Sequence, residues 1–142
     1  MVVVFADADL AAAAEAIAVA GYFNAGQDCT AATRVIVQDS VYDQFVALIT
    51  EQAKQVAIGA PADEDVFLGP VNNANQLARI SDLLSRVPAH AQVMTGGSAL
   101  DRPGFFFPAT VIAGLHQTDE LIQKEIFGPV ITVQKFTDEA QA

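Results

Sequence analysis

The chain has a single cysteine, Cys29, and its surroundings point to nucleophilic chemistry. It closes the segment Phe23-Asn-Ala-Gly-Gln-Asp-Cys29, in which Gly26 lets the backbone turn tightly and approach a ligand closely. A thiol on such a turn, just ahead of the helix-compatible Thr30-Ala-Ala, is placed to have its thiolate stabilised by free backbone amides. The same amides would hold an oxyanion formed when sulfur attacks a carbonyl. Asp28 opposes thiolate formation if it faces the sulfur, so its carboxylate is expected to point elsewhere. The competing reading makes Cys29 a small buried apolar side chain. A Cys–His hydrolase needs an imidazole within hydrogen-bond reach of the sulfur, and neither His90 nor His116 carries a signal for that job. The two histidines lie 26 positions apart, far from the i, i+4 pairing of helical zinc sites. No metal is expected, and both read as ordinary loop residues.

These residues must be held by a folded chain. Of the 142 residues 52% are hydrophobic and 17% charged, which excludes a disordered chain and fits one domain or a piece of a larger one. The formal net charge of −10 argues against nucleic acid, whose phosphates call for a basic surface, and against docking on anionic lipid. One cysteine excludes an internal disulfide framework. The start, Met-Val-Val-Val-Phe-Ala-Asp7, lacks the basic region and long apolar core of a signal peptide. No apolar run approaches the ~18 residues of a membrane span. A cytoplasmic location is expected.

Val2 to Phe5 reads as a short buried strand, followed by a helix beginning after Asp7–Asp9 and burying Leu10, Ala14, Ile17, Ala18 and Gly21. Phe23 to Thr30 has no clean period and reads as a loop. Arg34 to Gln38 is a strand. Ser40-Val-Tyr-Asp43 reads as a capping box ahead of a helix that stops by Gly59 and Pro61. Asn72 or Asn73 opens a third helix that ends before Pro88. Strands are expected at Ala91–Thr95, Phe105–Ile112 and Val130–Phe136, the second bent or at an edge because of Pro108. Gly96-Gly97 reads as a turn, since no G-x-G-x-x-G follows it. The alternation predicts an α/β three-layer sandwich with a largely parallel sheet.

Phe23-Asn-Ala-Gly-Gln-Asp-Cys29 closely resembles the active-site signature of the aldehyde dehydrogenase superfamily, and Lys124-Glu-Ile-Phe-Gly-Pro-Val130 resembles its second signature. Phe5-Ala-Asp-Ala-Asp-Leu10, Leu68-Gly-Pro70 and Phe107-Pro-Ala-Thr110 are lesser matches in family order. The resemblance covers essentially the whole chain. The wording around Cys29, with Ile58-Gly-Ala-Pro61, looks most like the aminoaldehyde or γ-aminobutyraldehyde branch.

The resemblance implies that Cys29 attacks an aldehyde to give a thiohemiacetal, that hydride passes to NAD or NADP, and that water cleaves the resulting thioester. It implies that the Cys29 amide is half of an oxyanion hole, that Glu125 hydrogen-bonds the nicotinamide ribose, and that Phe127 packs near it. Gln76 and Arg79 align with a region that can contribute ribose contacts. Asp28 would orient toward a substrate ammonium in the aminoaldehyde branch.

The resemblance further implies a catalytic-domain fragment, truncated at both ends. The glutamate that activates water, the dinucleotide-binding domain and the C-terminal segment would lie outside residues 1–142. The cofactor would be bound mainly by those outside segments. The fragment alone is then expected to be inactive and to leave apolar and strand edges uncovered. The intact parent would be a homodimer or homotetramer. A non-catalytic assembly module that keeps the fold is the alternative, and ester cleavage by Cys29 alone is a third.

Overall fold

The structure, a computed structural model, describes residues 1–142. Its five strands are β1 (Val2–Val4), β2 (Arg34–Gln38), β3 (Gln92–Thr95), β4 (Thr110–Ala113) and β5 (Val130–Phe136). They form one sheet in the order β1-β2-β5-β4-β3, parallel throughout except for β3, which runs antiparallel to β4 at one edge. The expected α/β class with a largely parallel sheet is what the chain adopts. β2 and β5 have the limits that their β-branched runs predict, and both are central strands buried on two faces.

Helices α1 (Leu10–Tyr22) and α2 (Tyr42–Gln55) lie side by side on one face of the sheet. The Asp9 carboxylate caps α1 by accepting from the Ala12 amide at 3.1 Å. Gly21 lets α1 settle onto β5, since a Cβ there would meet the Ile131 side chain at 2.8 Å. The Tyr42 hydroxyl pins the start of α2, donating to the Val133 carbonyl at 3.0 Å and accepting from the Gly114 amide at 2.8 Å. Burial raises the pKa of this phenol, as it does that of Tyr22, whose hydroxyl donates to the Thr110 carbonyl at 3.0 Å.

The other face carries Arg34, Thr132 and Gln134 and is crossed by the β4–β5 connection, which contains the short helix α4 (Glu120–Gln123). Helix α3 (Ala74–Leu84), capped by Asn73, packs on that connection. One apolar core runs from α1 and α2 through the sheet to α3.

Two local expectations are corrected. Ser40 makes no capping bond: Asp39–Val41 forms a 3-10 turn, Ser40 is exposed, and the neighbouring Asp39 pairs with Lys135 at 3.1 Å. The tertiary anchor at Tyr42 takes over the work expected of the cap. Phe105 to Ala109 is no strand. Pro108 has no N–H to offer a ladder, and the Phe105 carbonyl instead accepts from the Val71 amide at 2.9 Å. Helix α2 ends at Gln55, ahead of the stop that Gly59 and Pro61 mark. Val3 and Phe5 near the β1 edge and Val19, Phe23 and Phe67 elsewhere remain exposed. No helix is long and apolar enough to cross a membrane.

Candidate active site

Because β2 and β5 are parallel neighbours, the loops that enter them arrive side by side. One carries Cys29; the other carries Glu125 and Phe127. Together they wall a cleft of about 260 Å³ lined by Asp28, Cys29, Arg34, Glu125, Phe127 and Thr132, among others. The cleft lies at the amino ends of β2 and β5, whereas open parallel sheets usually bind ligands at the carboxyl ends.

The first wall is an unusual piece of backbone. Asn24 (φ 51), Ala25 (φ 56) and Gly26 (φ 67) are three successive residues in the left-handed region. For a residue with a Cβ that conformation costs roughly 1–2 kcal/mol, so other contacts must impose it. The Asn24 side chain donates to the Gln27 carbonyl at 3.0 Å, and the Gln27 amide donates to the Asn24 carbonyl at 3.1 Å. The Gln27 side-chain oxygen accepts from the Asn72 amide at 3.1 Å, tying the loop to the approach to α3. Ala25 is buried. Any Cβ on Gly26 would collide with the Gly128 carbonyl, so the two walls meet backbone against backbone.

Past this bend the chain makes a short turn at Cys29–Thr30 and no helix, in keeping with the loop expected there. The Thr30 amide and hydroxyl both donate to one oxygen of Asp28, each at 2.7 Å, and the Ala31 amide donates to the Asp28 carbonyl at 3.1 Å. Those bonds, the hydroxyl's foremost, hold the half-buried Asp28 carboxyl below the usual carboxylate range. The Thr30 and Ala31 amides are therefore committed, while the Cys29 amide donates to no group of the chain. The donor available at the sulfur is Cys29's own N–H. Cys29 is exposed, which rules out its reading as buried packing. Neither histidine lines the cleft, so a Cys–His pair is not formed there.

The second wall is held from behind by α3. The Gln76 amide nitrogen donates to the carbonyls of Ile126 at 3.0 Å and Phe127 at 2.7 Å, and the Arg79 guanidinium donates to the Glu125 carbonyl at 2.5 Å. Gln76 and Arg79, singled out from the sequence for a cofactor ribose, bond in this structure to the backbone that bears Glu125 and Phe127. Gly128 fits tightly beneath Ile80, and Phe127 adopts φ 55. The Glu125 side chain is exposed and the Phe127 ring half-buried, both on the cleft.

A family model described as the Aldehyde dehydrogenase family matches residues 1–142, the whole chain. The chain belongs to this family. An aldehyde dehydrogenase of Emericella nidulans is 40% identical over 141 residues, 99% of this chain and 28% of that protein. A 1-pyrroline-5-carboxylate dehydrogenase of Geobacillus kaustophilus is 36% identical over 96% of this chain and 27% of its own.

Among solved structures, betaine aldehyde dehydrogenase from Staphylococcus aureus in complex with NAD+ superposes with a TM-score of 0.92 at 34% identity, over 98% of this chain and 28% of that one. Lactaldehyde dehydrogenase from Escherichia coli gives 0.92 at 37% identity, over 96% and 29%. The chain thus spans less than a third of the length of these aldehyde dehydrogenases.

Several residues of this aldehyde dehydrogenase cleft escaped the sequence reading. Gln27 and Gly128 sit inside the quoted signatures, yet their part in joining the walls depends on contacts with Asn72, Gly26 and Ile80 that no spacing announces. Arg34 lines the cleft from the first residue of β2, bonded to Gln134 at 3.2 Å and Gln117 at 2.6 Å. Lys124 lines it too, paired with Glu120 at 2.7 Å.

Proposed function

We propose that this chain is the nucleophile-bearing part of an NAD(P)-dependent aldehyde dehydrogenase that oxidises an aldehyde to a carboxylate. The observation that carries the reading is the exposed Cys29 thiol sharing one cleft with Glu125 and Phe127. The Cys29 sulfur, as thiolate, attacks the carbonyl carbon to give a thiohemiacetal, and the free Cys29 amide donates to the developing oxyanion. The residues fit a nicotinamide nucleoside: an exposed carboxylate at Glu125 can accept from two ribose hydroxyls, and the Phe127 ring limits where a flat ring can lie. When bound, NAD(P) supplies the acceptor for the hydride that leaves the thiohemiacetal carbon.

Within this chain, Gln76 and Arg79 set the height of Glu125 and Phe127 by gripping their carbonyls. Water then cleaves the Cys29 thioester, activated by a residue outside residues 1–142. The same outside segments bind most of the cofactor, so the isolated chain binds NAD weakly and turns over no aldehyde. A cytoplasmic homodimer or homotetramer is the state proposed for the parent.

The substrate proposed is an aminoaldehyde. Asp28 lines the cleft, and one of its two carboxylate oxygens makes no bond within the chain and can face an ammonium group. The test is steady-state formation of reduced nicotinamide by the full-length protein. Cys29→Ala should lower kcat by at least on the order of 10⁴-fold, the scale of losing a covalent nucleophile. Retained turnover would end the reading. Asp28→Ala should raise KM for an aminoaldehyde more than for a neutral aldehyde of equal length; an equal rise for both would assign Asp28 to the Thr30 turn alone.

A further inference from the structure

His90 lies in the turn between α3 and β3, and His116 and Asp119 lie in the turn between β4 and α4. The fold brings them together away from the cleft. The two imidazole rings stack with centroids 4.0 Å apart and planes 9° from parallel. His90 Nε2 lies 2.9 Å from one oxygen of Asp119, which also accepts from the His116 amide at 2.6 Å. One donor atom from each of the three side chains falls within 4.8 Å of the others.

We infer that His90, His116 and Asp119 form a binding site for a single borderline-soft divalent cation of the zinc class. Ligand atoms around such an ion, at ~2.0–2.2 Å from it, stand roughly 3.3 Å from one another. The His90–Asp119 pair, at 2.9 Å, needs to open by only a few tenths of an ångström, and the donor atom of the exposed His116, within 4.8 Å of both, needs to move inward to close the set. Two imidazoles and one carboxylate are a donor set that suits Zn²⁺, Co²⁺ or Ni²⁺ and not the hard, oxygen-seeking Mg²⁺. The Asp119 side chain is 13% exposed, and the His116 amide already orients it.

The surrounding charge favours a cation. The chain is strongly acidic, and the nearby Arg86 is bonded to both Asp82 and Glu120. A bound ion would staple the α3–β3 turn to the β4–α4 turn. The first turn adjoins α3, whose Gln76 and Arg79 hold the Glu125–Phe127 wall, so the ion would stiffen that wall from outside.

The experiment is titration of the full-length protein with ZnCl₂, and separately with MgCl₂, followed by calorimetry and thermal melting. A Cys29→Ser background removes the competing thiolate. One equivalent of Zn²⁺ should bind and raise Tm, Mg²⁺ should do neither, and Co²⁺ should give a visible d–d spectrum. His90→Gln and His116→Gln, each at an exposed position, should abolish the bound equivalent, the Tm rise and the Co²⁺ spectrum. Their metal-free Tm serves as the check that they fold. Zn²⁺ binding that survives both substitutions, or no saturable binding by the parent, would overturn the assignment.

Discussion

The central strands and the loops that feed them are built on opposite principles. β2 and β5 are runs of β-branched residues in regular parallel register, buried on both faces and free of backbone departures. In the loops that enter them, the backbone does what local preference disfavours. The three non-glycine residues with positive φ, Asn24, Ala25 and Phe127, all lie on the two loops that wall the cleft. The regular sheet acts as a fixed base, and strain is confined to the short segments that present Cys29, Glu125 and Phe127. A conformation of this kind survives only where neighbours over-determine it, here through Gln27, Gly128, Gln76 and Ile80.

The sharpest way to break this contrast is Gly26→Ala. A Cβ in the left-handed region, driven against the Gly128 carbonyl, should part the two walls and cost about 2–3 kcal/mol. Urea unfolding should show the loss, with activity falling further than stability. A melting curve like that of the parent would mean that the walls do not touch.

Next in size is Gln76→Ala, which strips one donor group from two carbonyls and should cost about 1–2 kcal/mol. In the full-length enzyme KM for the nicotinamide cofactor should rise more than kcat falls. An unchanged KM would deny α3 its positioning role.

Ala25→Gly tests the strain itself. Relief of the left-handed penalty, set against the extra freedom glycine gives the unfolded chain, should leave a net gain of up to about 1 kcal/mol. Destabilisation would show that the Ala25 methyl packs more than the backbone strains.

The smallest effect is expected far from the strain. Arg86 and then Lys124 hold the Glu120 carboxyl down from its ordinary 4.5 to about 2. A carboxyl lowered in the folded state adds stability that is complete above about 4.5 and is lost as pH falls toward about 2. Glu120→Gln should therefore lower Tm slightly at neutral pH and flatten the decline of Tm over that acid range. A parallel decline in both proteins would remove the linkage.

The regular region was largely legible in the sequence. The Val35-Ile-Val37 and Val130–Phe136 runs predict their strands, and Asp7–Asp9 and Asn72–Asn73 predict helix starts that Asp9 and Asn73 cap, because period and capping are decided within a few residues. The signatures around Cys29 and Glu125 named residues that the fold brings to one cleft. Elsewhere the local signal misled. Ser40 carries the marks of a cap but stands exposed beside a helix anchored by Tyr42. Phe105 to Ala109 carries the composition of a strand, but its backbone finds partners in Val71 and Leu100.

What the sequence by itself determined was the class of fold, the central strands, the helix starts with a capping carboxylate or amide, and a cysteine set among residues that permit a sharp bend. Tertiary structure alone decided which side chains hold that bend, that Gln76 and Arg79 turn to backbone carbonyls, and that His90 and His116 meet ring on ring. The physical reason lies in range: propensity and periodicity act over a turn or two of chain. A left-handed backbone or a pair of stacked imidazoles is fixed by packing between segments that only the folded sheet brings together.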